Sequence, residues 1–305
     1  MEFGKLPSVE NVDFTLPPDP EQNQVVLQGL GARTGPPVLY IGATGYNMKP
    51  WVGTWYPKGT KDREFLAAYG RQFNTIEHNT THYRIPDESM VDRWREETPD
   101  DFRFCPKIPQ VISHSGNLGL NNQLNQRFCE AIAGLENKLG CCFMQLPPHF
   151  STKQLIVLEQ YLERFPPGIP LSIEVRHPSF FEATVEAETF FQLLENYRVA
   201  AMITDVAGRR DVCHLRVTCA QTLIRFVGNG LHPSDYTRVQ DWALRLKSWY
   251  AQGLKAAYLF THEPDNLLAP DLAAYCADYF KSIMPDLIVR GPRAILPPAL
   301  QGSLF

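Results

Sequence analysis

Pro170-Leu171-Ser172-Ile173-Glu174-Val175-Arg176 is the stretch on which the fold turns. Side chains alternate between the two faces of a strand, so Ser172, Glu174 and Arg176 share one face and Ile173 with Val175 the other. A strand backed by helices must be apolar on its outer side. Glu174 and Arg176 are therefore expected to point inward, toward the C-terminal end of the strand. Working outward, β-rich segments of the same kind recur at 38–44, 75–81, 102–108, 141–147, 199–205, 222–227 and 256–262, which with 170–176 makes eight. Between them lie helical patterns at 62–73, 88–97, 123–139, 152–165, 185–197, 233–252 and 267–283. Strand-helix alternation predicts an α/β fold with a parallel sheet, and eight units close most naturally as a single parallel (β/α)8 TIM-type barrel. The sixth crossover is irregular: 206–221 has no convincing helix, and 211–218 reads as an extra strand-like piece. An open doubly wound sheet is the structural alternative.

The flanks are proline-rich. Residues 1–36 read as an extended N-terminal arm, 37–283 as the barrel and 284–305 as a mobile tail. A length of 305 residues suits one barrel with extensions, and 44% hydrophobic with 20% charged residues is ordinary for a soluble globular chain. No apolar run approaches the roughly 20 residues a membrane span requires. Residues 1–20 lack the basic and apolar regions of a signal peptide, and the seven cysteines form no C-x-x-C pair, so a reduced, cytoplasmic protein is expected. The net charge of -4 provides no basic field for nucleic acid, which would need a local cluster.

Sorting the other strands by parity nominates Glu77 and Asn79, Lys107 beside Cys105, Gln145, Asp205, Arg225 and either Thr261 or His262. Three carboxylates, Glu77, Glu174 and Asp205, then oppose three cations, Lys107, Arg176 and Arg225. Such a group is either a self-neutralising buried network or a prepared ligand site. Its position at the C-terminal ends of the strands favours the ligand site. The loops at that end add Gly42 to Tyr46 with Trp51, Trp55 and Tyr56, and His78 to Arg84 with two imidazoles and a guanidinium.

The succession Gly42-Ala43-Thr44-Gly45-Tyr46, Trp51, Tyr56-Pro57, Glu77-x-Asn79, Tyr83-Arg84, Pro86, Lys107, His114, Gln145-Leu146-Pro147-Pro148, Glu174-Val175-Arg176-His177, Asp205 and Arg225-Phe226 resembles the YecE-like family, catalogued as domain of unknown function 72. The resemblance runs in order from about 38 to about 280. It implies a TIM-type barrel and no established activity. It also implies that Asn79, Tyr83, Arg84, His114, Gln145, Arg176, His177, Arg225, Trp51 and Tyr56 line the site around Glu77, Lys107, Glu174 and Asp205. This chain departs from the family at His82, at Phe260-Thr261-His262-Glu263 where paired asparagines are common, and at Val227-Gly228-Asn229 where His-Gly is usual.

Metal binding is weighed because Glu77, His82, His114, Glu174, His177, Asp205 and His262 are ligand types. No H-E-x-x-H spacing occurs, and Lys107, Arg176 and Arg225 would repel a cation, so a tightly held metal is not expected. No other cofactor is indicated. Lys107 could form a Schiff base, but its acidic neighbours favour an ordinary charge partner. Phosphate suits the cations, with Arg176 and Arg225 as bidentate donors and Glu174 or Asp205 as general base. The leading reading is an enzyme acting on a phosphate-containing or nucleic-acid ligand, in DNA repair or metabolism. A sugar isomerase, lyase or hydrolase using Glu77 and Glu174, with Trp51, Trp55 and Tyr56 stacking on the ring, is one alternative; a non-catalytic small-anion binder is another. Gln301-Gly302-Ser303-Leu304-Phe305 resembles the short peptides that dock on the bacterial sliding clamp, with Leu304 and Phe305 as anchors and Gln301 as the orienting group.

Overall fold

The computed structural model describes residues 3–295. Among them the chain runs α1 (Glu21–Gly29), β1 (Val38–Gly42), α2 (Phe65–Gln72), β2 (Thr75–His78), α3 (Glu88–Glu97), β3 (Arg103–Pro106), α4 (Gln110–Ser113), α5 (Leu124–Ala133), β4 (Cys142–Gln145), α6 (Leu155–Arg164), β5 (Leu171–Glu174), α7 (Val185–Asn196), β6 (Ala200–Asp205), β7 (Gln221–Val227), α8 (Pro233–Gln252), β8 (Ala256–His262), α9 (Ala269–Ile283) and β9 (Ile288–Arg290). The fold is mixed α/β, with a seven-stranded sheet in the order β4-β5-β6-β7-β8-β1-β9 and a separate β2-β3 pair. Each ladder between these strands is parallel.

Local chemistry sets the helix ends. Asp87 accepts the Met90 N–H at 2.9 Å to start α3, and Thr184 accepts that of Ala187 at 3.2 Å to start α7. Pro233 opens α8, and Gly253, at φ +125°, ends it in a conformation that disfavours a side chain.

Both strand faces are buried, as a parallel sheet covered by helices requires. Leu39, Ile41, Ile76, Phe104, Ile173, Ile203, Ile224 and Leu259 belong to the outer core, with Trp94, Phe128, Tyr161, Phe190, Trp242 and Leu272 from the helices. The opposite parity forms a second cluster: Cys105, Cys141, Phe143, Ala200, Met202, Cys219, Leu223, Tyr258 and Phe260, with Tyr40 against it.

The β2-β3 pair is tied to the large sheet at both sides by isolated bridges and hydrogen bonds rather than by a ladder. Lys107 bridges to Phe143, and the Glu77 N–H donates to the Ala43 carbonyl at 3.0 Å. No longer β1-β2 ladder forms, because β9 pairs with Val38 to Tyr40 and the Asn74 side chain then bonds the Ile41 N–H and the Leu39 carbonyl. At Gly42 a Cβ would lie 2.4 Å from the Thr75 carbonyl oxygen, so only glycine lets β2 approach this closely.

Two flanking expectations are corrected. The arm is not extended throughout. Glu21–Gly29 is helical, and buried Asn23 pins it by donating to the Leu215 carbonyl at 2.8 Å and accepting the Val217 N–H at 2.9 Å. Ile288–Arg290, expected in a mobile tail, adds a strand to β1. The irregular sixth crossover is as expected in lacking an α-helix: only a 3-10 turn, Arg210–Val212, interrupts it, and 213–220 forms no strand.

Candidate functional site

The C-terminal ends of the strands gather polar side chains of the inner parity around Arg225 of β7, which is 1% exposed. Its Nε donates to Glu77 Oε2 at 3.0 Å, and its Nη1 donates to Glu174 Oε2. Glu77 also accepts Asn79 Nδ2 at 3.1 Å and His262 Nε2 at 2.8 Å, while Glu174 accepts Arg176 Nε at 3.0 Å. Burial alone would push both acids up. The guanidinium and its companions overcome it, holding Glu77 well below the usual carboxylate range and Glu174 at about 2. Burial lowers His262 despite Glu77, so the imidazole is neutral at physiological pH. Because an ionised carboxylate only accepts, its proton sits on Nε2.

Lys107 is placed differently. Its Nζ donates to Gln145 Oε1 at 2.7 Å and lies 5.9 Å from the Phe143 ring centroid. Among the described residues no carboxylate comes within ion-pairing distance of it. Burial, joined by the like charge of Arg225, lowers its pKa to about 8. Glu263, which sequence reasoning left out of the site, is buried on the same cavity. Its Oε2 accepts the Gly230 N–H at 2.8 Å, and its Oε1 has no hydrogen-bond partner among the described residues. Burial raises it to about 7. The signal for it was the run Phe260-Thr261-His262-Glu263, polar just beyond a buried strand. Gly228 is its complement, since a Cβ there would lie 2.3 Å from Glu263 Oε1.

Apart from Glu174, these groups line a cavity of about 550 Å³. Gly4 to Val9 of the arm form part of its wall. The Phe3 ring lies 4.4 Å from the Arg176 guanidinium and 5.2 Å from that of Arg209. The arm is seated by a backbone bond from the Gly208 N–H to the Gly4 carbonyl at 2.8 Å.

Of the expected site residues, the structure brings Glu77, Asn79, Tyr83, Lys107, Gln145, Arg176 and Arg225 to this cavity, with Glu174 held behind them by both arginines. Asp205 is not among them. In β6 the inner parity belongs to Ala200 and Met202, so Asp205 faces outward. There it accepts Trp242 Nε1 at 2.8 Å and Arg238 Nε at 3.1 Å, and it pairs with Arg210. Trp51 and Tyr56 are core residues: the Trp51 indole donates to the Leu267 carbonyl at 3.0 Å, and the Tyr56 hydroxyl donates to that of Tyr46 at 2.8 Å. Arg84 turns to Met90. His177 accepts the Ser179 N–H as the cap of a 3-10 turn. His114 sits beside His82, ring centroids 5.7 Å apart, in a separate shallow depression that shares Tyr83 with the cavity. Gln301, Leu304 and Phe305 lie outside the described residues. Among the described residues no group of three His, Cys, Asp or Glu side chains is arranged to hold a metal ion, and no helix is long and apolar enough to cross a membrane.

A family model described as protein of unknown function DUF72 matches residues 40–293. UPF0759 protein YecE of Escherichia coli K12 is 32% identical over 286 residues, covering 88% of this chain and 100% of that protein. UPF0759 protein YunF of Bacillus subtilis 168 is 26% identical over 201 residues, 63% of this chain and 70% of that protein. A crystal structure of a DUF72 family protein from Enterococcus faecalis V583 superposes with a TM-score of 0.64 at 19% identity, covering 86% of this chain and 99% of that one.

Proposed function

This chain belongs to the DUF72 family, and on that footing we propose that its strands close as a (β/α)8 barrel whose cavity is an enzyme site for a small phosphate- or carboxylate-bearing molecule. One observation carries the reading. With Asp205 turned away, the described residues set two ionised carboxylates, Glu77 and Glu174, against three cations, Lys107, Arg176 and Arg225, at the cavity. Glu263, near 7, is only partly charged at neutral pH and does not restore the balance. A site with a surplus positive charge in a low-dielectric recess favours an anion.

The donors divide the work. Arg225 has its Nε and Nη1 engaged by Glu77 and Glu174, so it serves as the fixed centre that positions them. Lys107 and Arg176 are the groups that meet the ligand, with Gln145 aiming the ammonium. Neutral His262 and half-protonated Glu263 supply acid-base capacity near physiological pH. The sugar-hydrolase alternative is weakened. It needs one raised carboxylic acid from the Glu77 and Glu174 pair, yet Arg225 holds both ionised, and the aromatic rings it invoked are packed in the core. A nucleic-acid ligand is weakened by a net charge of -4.

The test is ligand-induced stabilisation of the full chain. Inorganic phosphate and small phosphorylated metabolites raise the melting temperature, and Lys107→Met and Arg176→Gln each abolish the rise. Equal stabilisation of both variants, or none in the native protein, would refute the reading. Stabilisation without any turnover of a metabolite library would reduce it to a non-catalytic anion binder.

A further inference from the structure

Lys107 does not behave as one member of an ion pair. The two carboxylates nearest in the fold are already taken by arginines, Glu77 by Arg225 and Glu174 by Arg225 and Arg176. What the ammonium does meet is one neutral acceptor, Gln145 Oε1, with the centroid of the Phe143 ring 5.9 Å away. It is buried at the wall of the cavity with a like charge, Arg225, as neighbour. A lysine desolvated beside another cation, with the nearby acids already paired to arginines, is the arrangement that generates a nucleophilic amine.

We infer that Lys107 is a covalent catalyst, its Nζ forming an imine with the carbonyl carbon of a small aldehyde or ketone that also carries an anionic group. This deepens the anion-site reading and rests on it for the second half of the substrate description. The step balances without an oxidant or reductant. The Nζ lone pair bonds to the carbonyl carbon, and the carbon-oxygen bond breaks. Two of the three ammonium hydrogens depart with the oxygen as water, and the third stays on the protonated imine. Those transfers need a group that both takes and gives a proton near neutrality. Glu263, on the same cavity, sits at about 7 and has one oxygen without a partner among the described residues. Arg176 holds the anionic end beside the reacting carbon. The protonated imine is an electron sink, so the reactions served are those that make or break a bond next to a carbonyl: aldol-type cleavage, decarboxylation or isomerisation.

The test uses the full-length protein and two probes that differ by one anion, pyridoxal 5′-phosphate and pyridoxal. Each is incubated with the protein at neutral pH, the imine is trapped with borohydride, and the labelled peptides are mapped by mass spectrometry. Lowering a lysine from 10.5 to about 8 raises its free-amine fraction by roughly 300-fold, part of which is lost to weaker intrinsic nucleophilicity. Label at Lys107 is expected to exceed that at exposed Lys58 by about tenfold or more. The phosphorylated probe should label at lower concentration than pyridoxal. Lys107 labelled no faster than Lys58, or not at all, overturns the inference, and because the mapping is done on the native chain no variant has to fold. The two readings fail separately. Phosphate that stabilises the protein while Lys107 resists trapping leaves the anion site and removes the imine. Trapping at Lys107 that phosphate does not slow, with both probes equal, leaves the imine and removes the anion site.

Discussion

Replacing Arg225 with methionine isolates the interaction on which the site is assembled. The substitution keeps most of the aliphatic volume and leaves Glu77 and Glu174, both at most 2% exposed, without their shared cation. Removing one partner from a buried ion pair costs about 3–5 kcal/mol, because the remaining charge stays desolvated. With an unfolding entropy of about 2.1 cal/mol/K per residue over 305 residues, that loss lowers the melting temperature by about 5–8 °C. The pH dependence has a definite sign. In the native protein both acids are depressed, so their stabilisation is present above the ordinary carboxylate range and is lost only as pH falls toward about 2 for Glu174. In Arg225→Met burial has far less opposition, and it drives both pKa values above their unfolded values. The deficit therefore grows as pH rises from about 4 to about 7. Urea unfolding of both proteins across this range measures it. The triple variant Glu77→Gln, Glu174→Gln, Arg225→Met should recover part of the loss, since no buried carboxylate is left to desolvate and Arg176, which loses Glu174, is 13% exposed. A deficit below about 1 kcal/mol, or one that does not change with pH, would refute the account of Arg225 as the hub.

The depressed Lys107 gives the native chain a stability that rises between about 8 and 10.5, where the unfolded chain binds the extra proton; Lys107→Met should lack that slope in melts recorded against pH. Asp205→Asn should cost about 3–5 kcal/mol, because Arg210 loses its carboxylate and buried Arg238 is left with Asp235 alone, while phosphate still stabilises the folded fraction; loss of phosphate binding without loss of stability would return Asp205 to the site. At Gly208 a Cβ would meet the Gly4 carbonyl oxygen at 2.8 Å, so Gly208→Val should lift the arm, speed its limited proteolysis and accelerate ligand entry, whereas an unchanged cleavage rate would show the arm is not seated as described. A peptide of Gln301 to Phe305 should bind a bacterial sliding clamp and lose binding when Leu304 and Phe305 are replaced by alanine; no binding by the native peptide would end that expectation.

Much of the architecture was legible without coordinates because it is local. The expected ranges 88–97 and 233–252 coincide with α3 and α8, and the last β-rich segment with β8, since capping residues, proline and hydrophobic period act within a few positions. The helix α1 was missed for a local reason too. It buries only Asn23 and Leu27, so its sequence carries almost no amphipathic signal, and its anchor is a pair of hydrogen bonds to residues nearly two hundred positions away. Parity worked for Glu174 and Arg176, where polar and apolar residues alternate. It failed for Asp205, because Ala200 to Ile203 are apolar on both faces and nothing local says which side is inner.

The sequence by itself determined the alternation of strands and helices and the gathering of Glu77, Lys107, Glu174, Arg176 and Arg225 at one end of the strands, because hydrophobic period and side-chain alternation are properties of neighbouring residues. Which charges pair was decided only in three dimensions. Arg225 reaches Glu77 across 148 positions and Glu174 across 51, and Arg238 with Trp242 draws Asp205 out of the group from a helix more than thirty residues on. Pairing depends on distance and burial, which a linear sequence does not contain. That is why three acids against three bases became two against three, with Lys107 left without an acid to pair with among the described residues.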